Sequence, residues 1–397
     1  MERVVSISGH LKEPHQTTDP LLKLIFGEIE AEGGMISFAR FMELALYHPE
    51  HGYYASGRAR IGKEGDFFTS VSVGRIYGRL LAAVCREAWE RLDCPPEFLI
   101  VEQGANDGTM AYDLLESVME PKDLFSQAAR YMIIEPFPVN LERQREKLQH
   151  FQNTDWVRSP EELPSFTGIH LSNELLDAFP VHSLRWDESG WKEECVRRDG
   201  DSLVWTIRPI NDNALAAAAV LLPLTLPVGY RLEVNLGTTH WLETLYKRIN
   251  QGLVLTIDYG QAGEDRYAPH RADGTLIACQ SHRRFNDPLR VPGLRDITSQ
   301  VDFTALAASA RNIGYSLLGY NDQHHFLFGA AEPWLRMFGS SGSASSPETT
   351  KDCRALHTLL HPGSMGMQFK AIAFGKDFPE TPHLSCFRYQ RPGIGAL

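Results

Sequence analysis

The sequence predicts an α/β fold, and three observations carry that prediction. Phe98-Leu99-Ile100-Val101 is an apolar run that enters a glycine-bearing turn, Gly104-Ala105-Asn106-Asp107-Gly108. Met110, Leu114, Leu115 and Val118 then repeat at helical spacing. One helix-length after Thr109 comes a second apolar run, Tyr131-Met132-Ile133-Ile134, which ends in Glu135. Strand, tight turn, helix and parallel strand is the unit of an open α/β sheet, whose ligands sit beyond the carboxyl ends of the strands. The turn leaves free backbone N–H groups at a helix N-terminus.

The chain divides into three stretches: a helical cap and mobile loop over 19–95, a catalytic domain over 96–376, and a loose tail over 377–397. Asp19-Pro20 opens the first helix with a capping residue and Pro at its first position. Leu22, Ile25, Phe26 and Ile29 repeat at helical spacing, and Gly33-Gly34 ends the run. Ser37 caps a second helix with Phe38, Phe41, Met42, Leu44 and Ala45. The segment Tyr47-His48-Pro49-Glu50-His51-Gly52-Tyr53-Tyr54 is an aromatic turn, either a lid or a corner packed on the core. Gly57, Gly62, Gly65 and Gly74 surround Gly65-Asp66-Phe67-Phe68-Thr69-Ser70, which reads as a mobile loop able to close over a ligand. A helix from Ile76 to Leu92 leads through Pro95-Pro96 into the opening strand.

Past Glu135, residues 138–148 form a charged surface helix, and a third strand ends at Asp155-Trp156. Gly168 to Ser172 is a short strand running into Asn173-Glu174-Leu175-Leu176-Asp177. Glu174 and Asp177, three apart, share one face of a helical turn, where two carboxylates can grip a guanidinium. Asn173 as a simple cap, with both acids facing water, is the plainer alternative. Residues 183–236 alternate charged and apolar positions, as antiparallel hairpins inserted in the domain do. Gly252 to Ile257 is a buried strand closed by Asp258-Tyr259-Gly260. Helices follow at 241–249 and 304–313, with a strand from Gly274 to Ala278 and a last strand from Met367 to Phe374. Residues 338–352 read as a flexible loop. His324-His325 lacks a third ligand at motif spacing, so no metal is expected.

A chain of 397 residues can hold one large α/β domain with insertions. The net charge of −11 argues against a nucleic-acid partner and suits a cationic ligand, such as a sulfonium or a basic protein segment. The six cysteines form no C-x-x-C pair, which reads as reduced thiols in a cytosolic protein. Residues 1–20 lack the apolar core of a signal peptide and the Arg- and Ser-rich character of a mitochondrial presequence. The apolar stretch 214–228 is broken by Pro223 and Pro227 and is too short to span a membrane. A homodimer is the expected assembly.

Two cofactors suit a strand, glycine turn, helix, strand and acid: a dinucleotide and S-adenosylmethionine. A dinucleotide asks for G-x-G-x-x-G, but the middle position here is Asn106 and no glycine stands three residues after Gly108. The methyl donor carries no phosphate and tolerates such a turn, so the balance leans toward it. A glycine turn that holds no nucleotide stays open. Trp beside Asp at a strand edge can hold an adenine, or can simply be a half-buried edge residue.

The motifs Gly65-Asp66-Phe67-Phe68-Thr69-Ser70, Asn173 to Val181, Asp258-Tyr259-Gly260 and Asp296-Ile297-Thr298, in this order, resemble the MidA family of class I S-adenosylmethionine-dependent methyltransferases. That family includes a mitochondrial protein arginine methyltransferase that assists assembly of respiratory complex I. The likeness runs from about Ser37 to Phe374. It implies a Rossmann-like seven-stranded sheet and S-adenosyl-L-methionine as cofactor. It places Glu102, Gly104, Asn106, Gly108, Glu135, Asp155, Trp156 and Asn173 around that cofactor, with Glu135 at the ribose and Asp155-Trp156 near the adenine. Glu174, Asn173 and Asp177 would act at the reaction centre, on an arginine of a protein substrate. The chain departs from the family twice. Its turn is not G-P-G-R-G, and Ser72 stands where the family commonly has Glu. Other readings are a nicotinamide dehydrogenase, a methyltransferase-like scaffold, and a small-molecule methyltransferase.

Overall fold

A computed structural model describes residues 19–57, 69–341 and 347–389. Its core is a mixed sheet. Chain order gives strands β1 (Phe98–Gln103), β2 (Ala129–Ile134), β3 (Thr154–Val157), β4 (Phe166–Asn173), β5 (Ile249–Gln261), β6 (Ser316–Asp322) and β7 (Phe369–Lys376). Their spatial order is 3-2-1-4-5-7-6. Strands β1 to β5 pair in parallel, and β7 runs antiparallel to both β5 and β6. A two-residue strand, Val301–Asp302, pairs with the end of β5, so the sheet has eight strands where seven are expected. The strand order reverses between β1 and β4, which is where open sheets of this class open a crevice.

Alternation along the strands separates the two faces. Ile100, Ile133, Ile169 and Leu171 pack under helices α3 (Ile76–Arg91) and α4 (Thr109–Met119), together with residues of the helices Gln323–Ser341 and Pro347–Leu360. Val101, Ile134, Val254 and Phe374 pack on the other face under the helices Gly237–Arg248 and Phe303–Ile313. Strand β4 is buried along nearly its whole length, as a central parallel strand covered on both sides must be. Each fully buried side chain of this kind contributes about 1.5–3 kcal/mol.

Before the sheet come α1 (Pro20–Ala31) and α2 (Phe38–Tyr47), capped by the side chains of Asp19 and Ser37 as expected. Between them Met35–Ser37 pairs antiparallel with residues 195–197 of the insertion. The insertion holds the strands His182–Asp187, Gly190–Asp199, Ser202–Arg208 and Arg231–Val234, and a helix at Asn213–Val220. One apolar cluster joins Leu21, Ile25, Phe38 and Phe41 to Val181, Val196 and Ile297. The N-terminal helices and the hairpins thus pack as one unit beside the sheet.

Two expectations are corrected. Residues 338–341 and 347–352 are helical, in the two helices that flank 342–346. The segment 377–389 is not loose: Leu384, Cys386 and Phe387 are buried, and Phe387 packs 5.5 Å from Phe326. The apolar spacing there is too short to signal a helix or a strand, so packing shows only in three dimensions. Of the glycine loop, residues 58–68, with Gly62 and Gly65, lie outside the described residues.

Candidate active site

The carboxyl ends of β1, β2, β4 and β5 meet around a cavity of about 460 Å³. At one end lies the turn between β1 and α4. Gly104, Asn106 and Gly108 all have positive φ, at 84°, 48° and 79°. Asn is one of the few residues other than Gly that adopt this conformation readily, which is how Asn106 stands at a glycine position. The fully buried Gln144, on helix α5 (Pro138–Leu148), donates from Nε2 to the Asn106 carbonyl at 2.8 Å.

Two buried carboxylates stand beside the turn. Glu102, near the end of β1, accepts a hydrogen bond from Tyr131 Oη at 2.6 Å, and burial pushes it up to about 7. Glu135, at the tip of β2, accepts from the Phe137 N–H at 2.9 Å and from Gln144 Nε2 at 2.8 Å. Burial pushes it up to about 7 as well.

The other end is acidic and aromatic. Burial, then the charge of Asp177, pushes Glu174 up to about 8, and burial pushes Asp177 up to about 6. Asp296 lines the same wall. Tyr54 Oη donates to Asp296 Oδ1 at 2.9 Å, and Tyr47 Oη donates to the Ala178 carbonyl at 2.9 Å. Tyr47, Tyr54 and Phe137 lie with ring centroids 5.4–6.4 Å apart. The aromatic turn is therefore pinned as one wall of the cavity.

The positions of Glu174 and Asp177 do not come from one helical turn. Glu174 has φ of 53°, and only Leu176–Ala178 forms a turn of 3-10 helix. The constraint is Asp258, fully buried at the end region of β5. Its Oδ2 accepts from the N–H groups of Leu175, Leu176 and Asp177 at 3.1, 2.9 and 3.2 Å, and its Oδ1 accepts from Tyr259 N–H at 2.8 Å. Asn173 joins the wall: Tyr77 Oη donates to its Oδ1 at 2.5 Å, and its Nδ2 donates to Glu174 Oε1 at 3.1 Å.

Over residues 80–321 the chain matches the model of a family described as "Putative S-adenosyl-L-methionine-dependent methyltransferase". The chain belongs to this methyltransferase family.

Solved structures agree with the match. A superfamily member from Burkholderia thailandensis, crystallised with S-adenosyl-homocysteine, shares 28% identity at a TM-score of 0.84, covering 96% of this chain and 99% of that one. A native crystal structure of a superfamily protein from the same organism gives a TM-score of 0.82. Curated relatives include a Drosophila melanogaster protein named protein arginine methyltransferase NDUFAF7 homolog, mitochondrial, 28% identical over 86% of this chain and 81% of its own length. The Mus musculus protein arginine methyltransferase NDUFAF7 is 28% identical over 91% of this chain and 85% of its own. These relatives are named mitochondrial, which overturns the cytosolic expectation. Free thiols report a reducing environment and do not tell one such compartment from another.

The methyltransferase's cavity fits S-adenosyl-L-methionine. Three residues of its lining carry a buried side-chain atom that has no partner within the protein: Asn140 Oδ1, Thr69 Oγ1 and Asp177 Oδ1. Such atoms call for polar groups of a ligand.

Of the expected cofactor residues, Glu102, Gly104, Asn106, Glu135 and Asn173 line this cavity, while Gly108, Asp155 and Trp156 do not. Gly108 packs against Gln144, on which an added Cβ would close to 3.4 Å. Asp155 is exposed, and Trp156 donates from Nε1 to Gln144 Oε1 at 3.1 Å. Strand β3 runs on to Val157, so Arg158, Ser159 and Pro160 line the cavity instead. All three expected reaction-centre residues, Asn173, Glu174 and Asp177, do line it. Ser72 is not on the lining; it accepts from the Thr69 N–H at 2.9 Å, the part a Glu plays in a capping box. Among the described residues no cluster of potential ligands could hold a metal, and His325 pairs with Asp322 at 2.7 Å.

Proposed function

We propose that the enzyme methylates a guanidinium nitrogen of an arginine in a protein substrate. The observation that carries this reading is the acidic end of the cavity, where Glu174, Asp177 and Asp296 face one space between tyrosine rings. Carboxylates match a guanidinium's N–H geometry, and aromatic faces attract its charge. The curated relatives, named protein arginine methyltransferases, support the same acceptor.

When bound, the cofactor supplies a sulfonium methyl group. The Gly104–Asn106 turn cradles its amino-acid part, and Glu135 takes ribose hydroxyls. Glu174 and Asp177 accept N–H bonds from the guanidinium and aim one nitrogen at the methyl carbon. The cofactor would give its methyl group to that nitrogen and leave as S-adenosyl-homocysteine, its sulfur keeping the electron pair of the broken C–S bond. The nitrogen's proton passes to ionised Glu174, whose raised pKa makes it a stronger base than an ordinary carboxylate. The protein's part is alignment and exclusion of water.

Labelled-methyl transfer to a basic polypeptide, followed by hydrolysis to amino acids, tests the acceptor. Label in methylarginine is expected; label confined to methyllysine or methylhistidine would reject it.

Asn106→Gly should bind the donor within about threefold of wild type, since Gly tolerates the same φ. Asn106→Val should bind about tenfold or more weakly, because a β-branched residue is strained there. Calorimetry distinguishes the two.

The pH profile has a defined sign. Glu174 and Asp177 must be ionised to hold a cation, and their carboxyls lie at about 8 and about 6. At saturating donor, kcat/KM for the acceptor should therefore rise from about pH 6 to about pH 8. A fall over that range would contradict the role of both groups.

A further inference from the structure

Helix α5 contributes two buried amides to the cofactor end of the cavity. Asn140 and Gln144 stand four apart, so they lie on one face of the helix. Both are buried, at 5% and 0% exposure, in a helix that otherwise reads as a charged surface element. Burying two amides is costly unless their polar atoms are used. Gln144 uses all it has: its Nε2 donates to Glu135 Oε2 and to the Asn106 carbonyl, and its Oε1 accepts from Trp156. Asn140 does not. It lies beside Glu135, whose carboxyl it helps to hold down, and it lines the cavity, yet its buried Oδ1 has no partner in the protein.

We propose that Asn140 is a cofactor-binding residue whose Oδ1 accepts a hydrogen bond from a ribose hydroxyl of the adenosyl group, with Gln144 as the positioning residue behind it. The proposal rests on the methyl donor as cofactor and is independent of the acceptor. An unpartnered carbonyl oxygen requires a donor, and ribose hydroxyls are donors. Asn140 lies beside Glu135, the strand-tip acid, so the two side chains would share one sugar. Gln144 bonds the acid and the turn at once, and so fixes the spacing between the sugar and the amino-acid part of the ligand. It also explains why Asn106 can replace a glycine, since its carbonyl is held from behind.

The test is a calorimetric titration of the full-length protein with S-adenosyl-homocysteine, its 2′-deoxy and 3′-deoxy analogues, and its inosine analogue. Wild type should bind one deoxy analogue about five- to tenfold more weakly than the parent. In Asn140→Ala that discrimination should shrink to the part that Glu135 supplies. Asn140→Asp keeps an oxygen at the same place and should keep the discrimination. Gln144→Leu should weaken all four ligands by a similar factor and leave the ratio between them unchanged. The Asn140 assignment is overturned if wild type does not discriminate, or if Asn140→Ala discriminates as wild type does. It is also overturned if the ratio lost in Asn140→Ala is that of the inosine analogue, which would make the base the partner. Failure of wild type to bind S-adenosyl-homocysteine at all would instead strike the cofactor reading beneath it.

Discussion

Glu174→Gln should lower kcat/KM for the acceptor by about 10²–10³-fold while leaving donor affinity within about threefold. The substitution is nearly isosteric, so Asn173 Nδ2 can still donate to the retained oxygen. Two things are lost: the negative charge opposite the guanidinium and the site that takes its proton. Neither is needed by the donor, whose proposed cradle lies at the Gly104 turn and Glu135, on the other strands. The backbone of residue 174 holds φ of 53° with either side chain. Steady-state kinetics with a calorimetric Kd for the donor separates the outcomes. Equal losses in both would mean that Glu174 organises the whole cavity and has no acceptor role of its own.

The second large effect is expected at Asp258, which touches neither end of the cavity. Four backbone N–H groups converge on its carboxylate, three of them from the Leu175–Asp177 turn. Burial, then the charges of Asp177 and Glu174, drives its carboxyl well above the usual range. The N–H donors pull the other way and stabilise the ionised form. Asp258→Ala leaves these donors buried without an acceptor, at about 1–3 kcal/mol each for those that find no water. A loss of at least about 3 kcal/mol is expected, with a lower thermal midpoint and no detectable methyl transfer. Asp258→Asn restores one acceptor oxygen but sets an NH₂ group against an N–H donor, and should fall between the two. Thermal melting beside the transfer assay checks the order. A stable, active Asp258→Ala would show that the turn holds itself.

Much of this architecture is legible in the chain. The β1 turn, the strand β2 ending in Glu135, and the caps at Asp19 and Ser37 each follow from local chemistry that the fold does not override. The acidic residues of the acceptor end, Glu174 and Asp177, are legible because they follow a buried strand directly. What is not legible is what depends on register and on distant contacts. The end of β3 falls one residue later than the Asp155-Trp156 pair suggests, which moves the lining to Arg158–Pro160. Trp156 faces Gln144 and not the ligand space, and no local pattern says which. Asp258 looks like a ligand residue at a strand end, yet it serves the backbone of a loop eighty residues earlier. Asn140 and Gln144 look like surface positions because their neighbours are charged. Tyr47 and Tyr54 enter the site only because the N-terminal helices pack with the hairpin insertion beside the sheet.

We propose that one cavity seats the methyl donor between the Gly104 turn and Glu135. Calorimetric titration of S-adenosyl-L-methionine into wild type and Glu135→Ala, with NAD as a control ligand, tests it most directly. At pH 8, above the value of about 7 to which burial lifts its carboxyl, Glu135 would offer charged acceptors to the ribose, so its loss should weaken binding about a hundredfold. Binding to wild type, that loss in the variant and no binding of NAD are expected. Unchanged affinity in Glu135→Ala, or preferential binding of NAD, would contradict it.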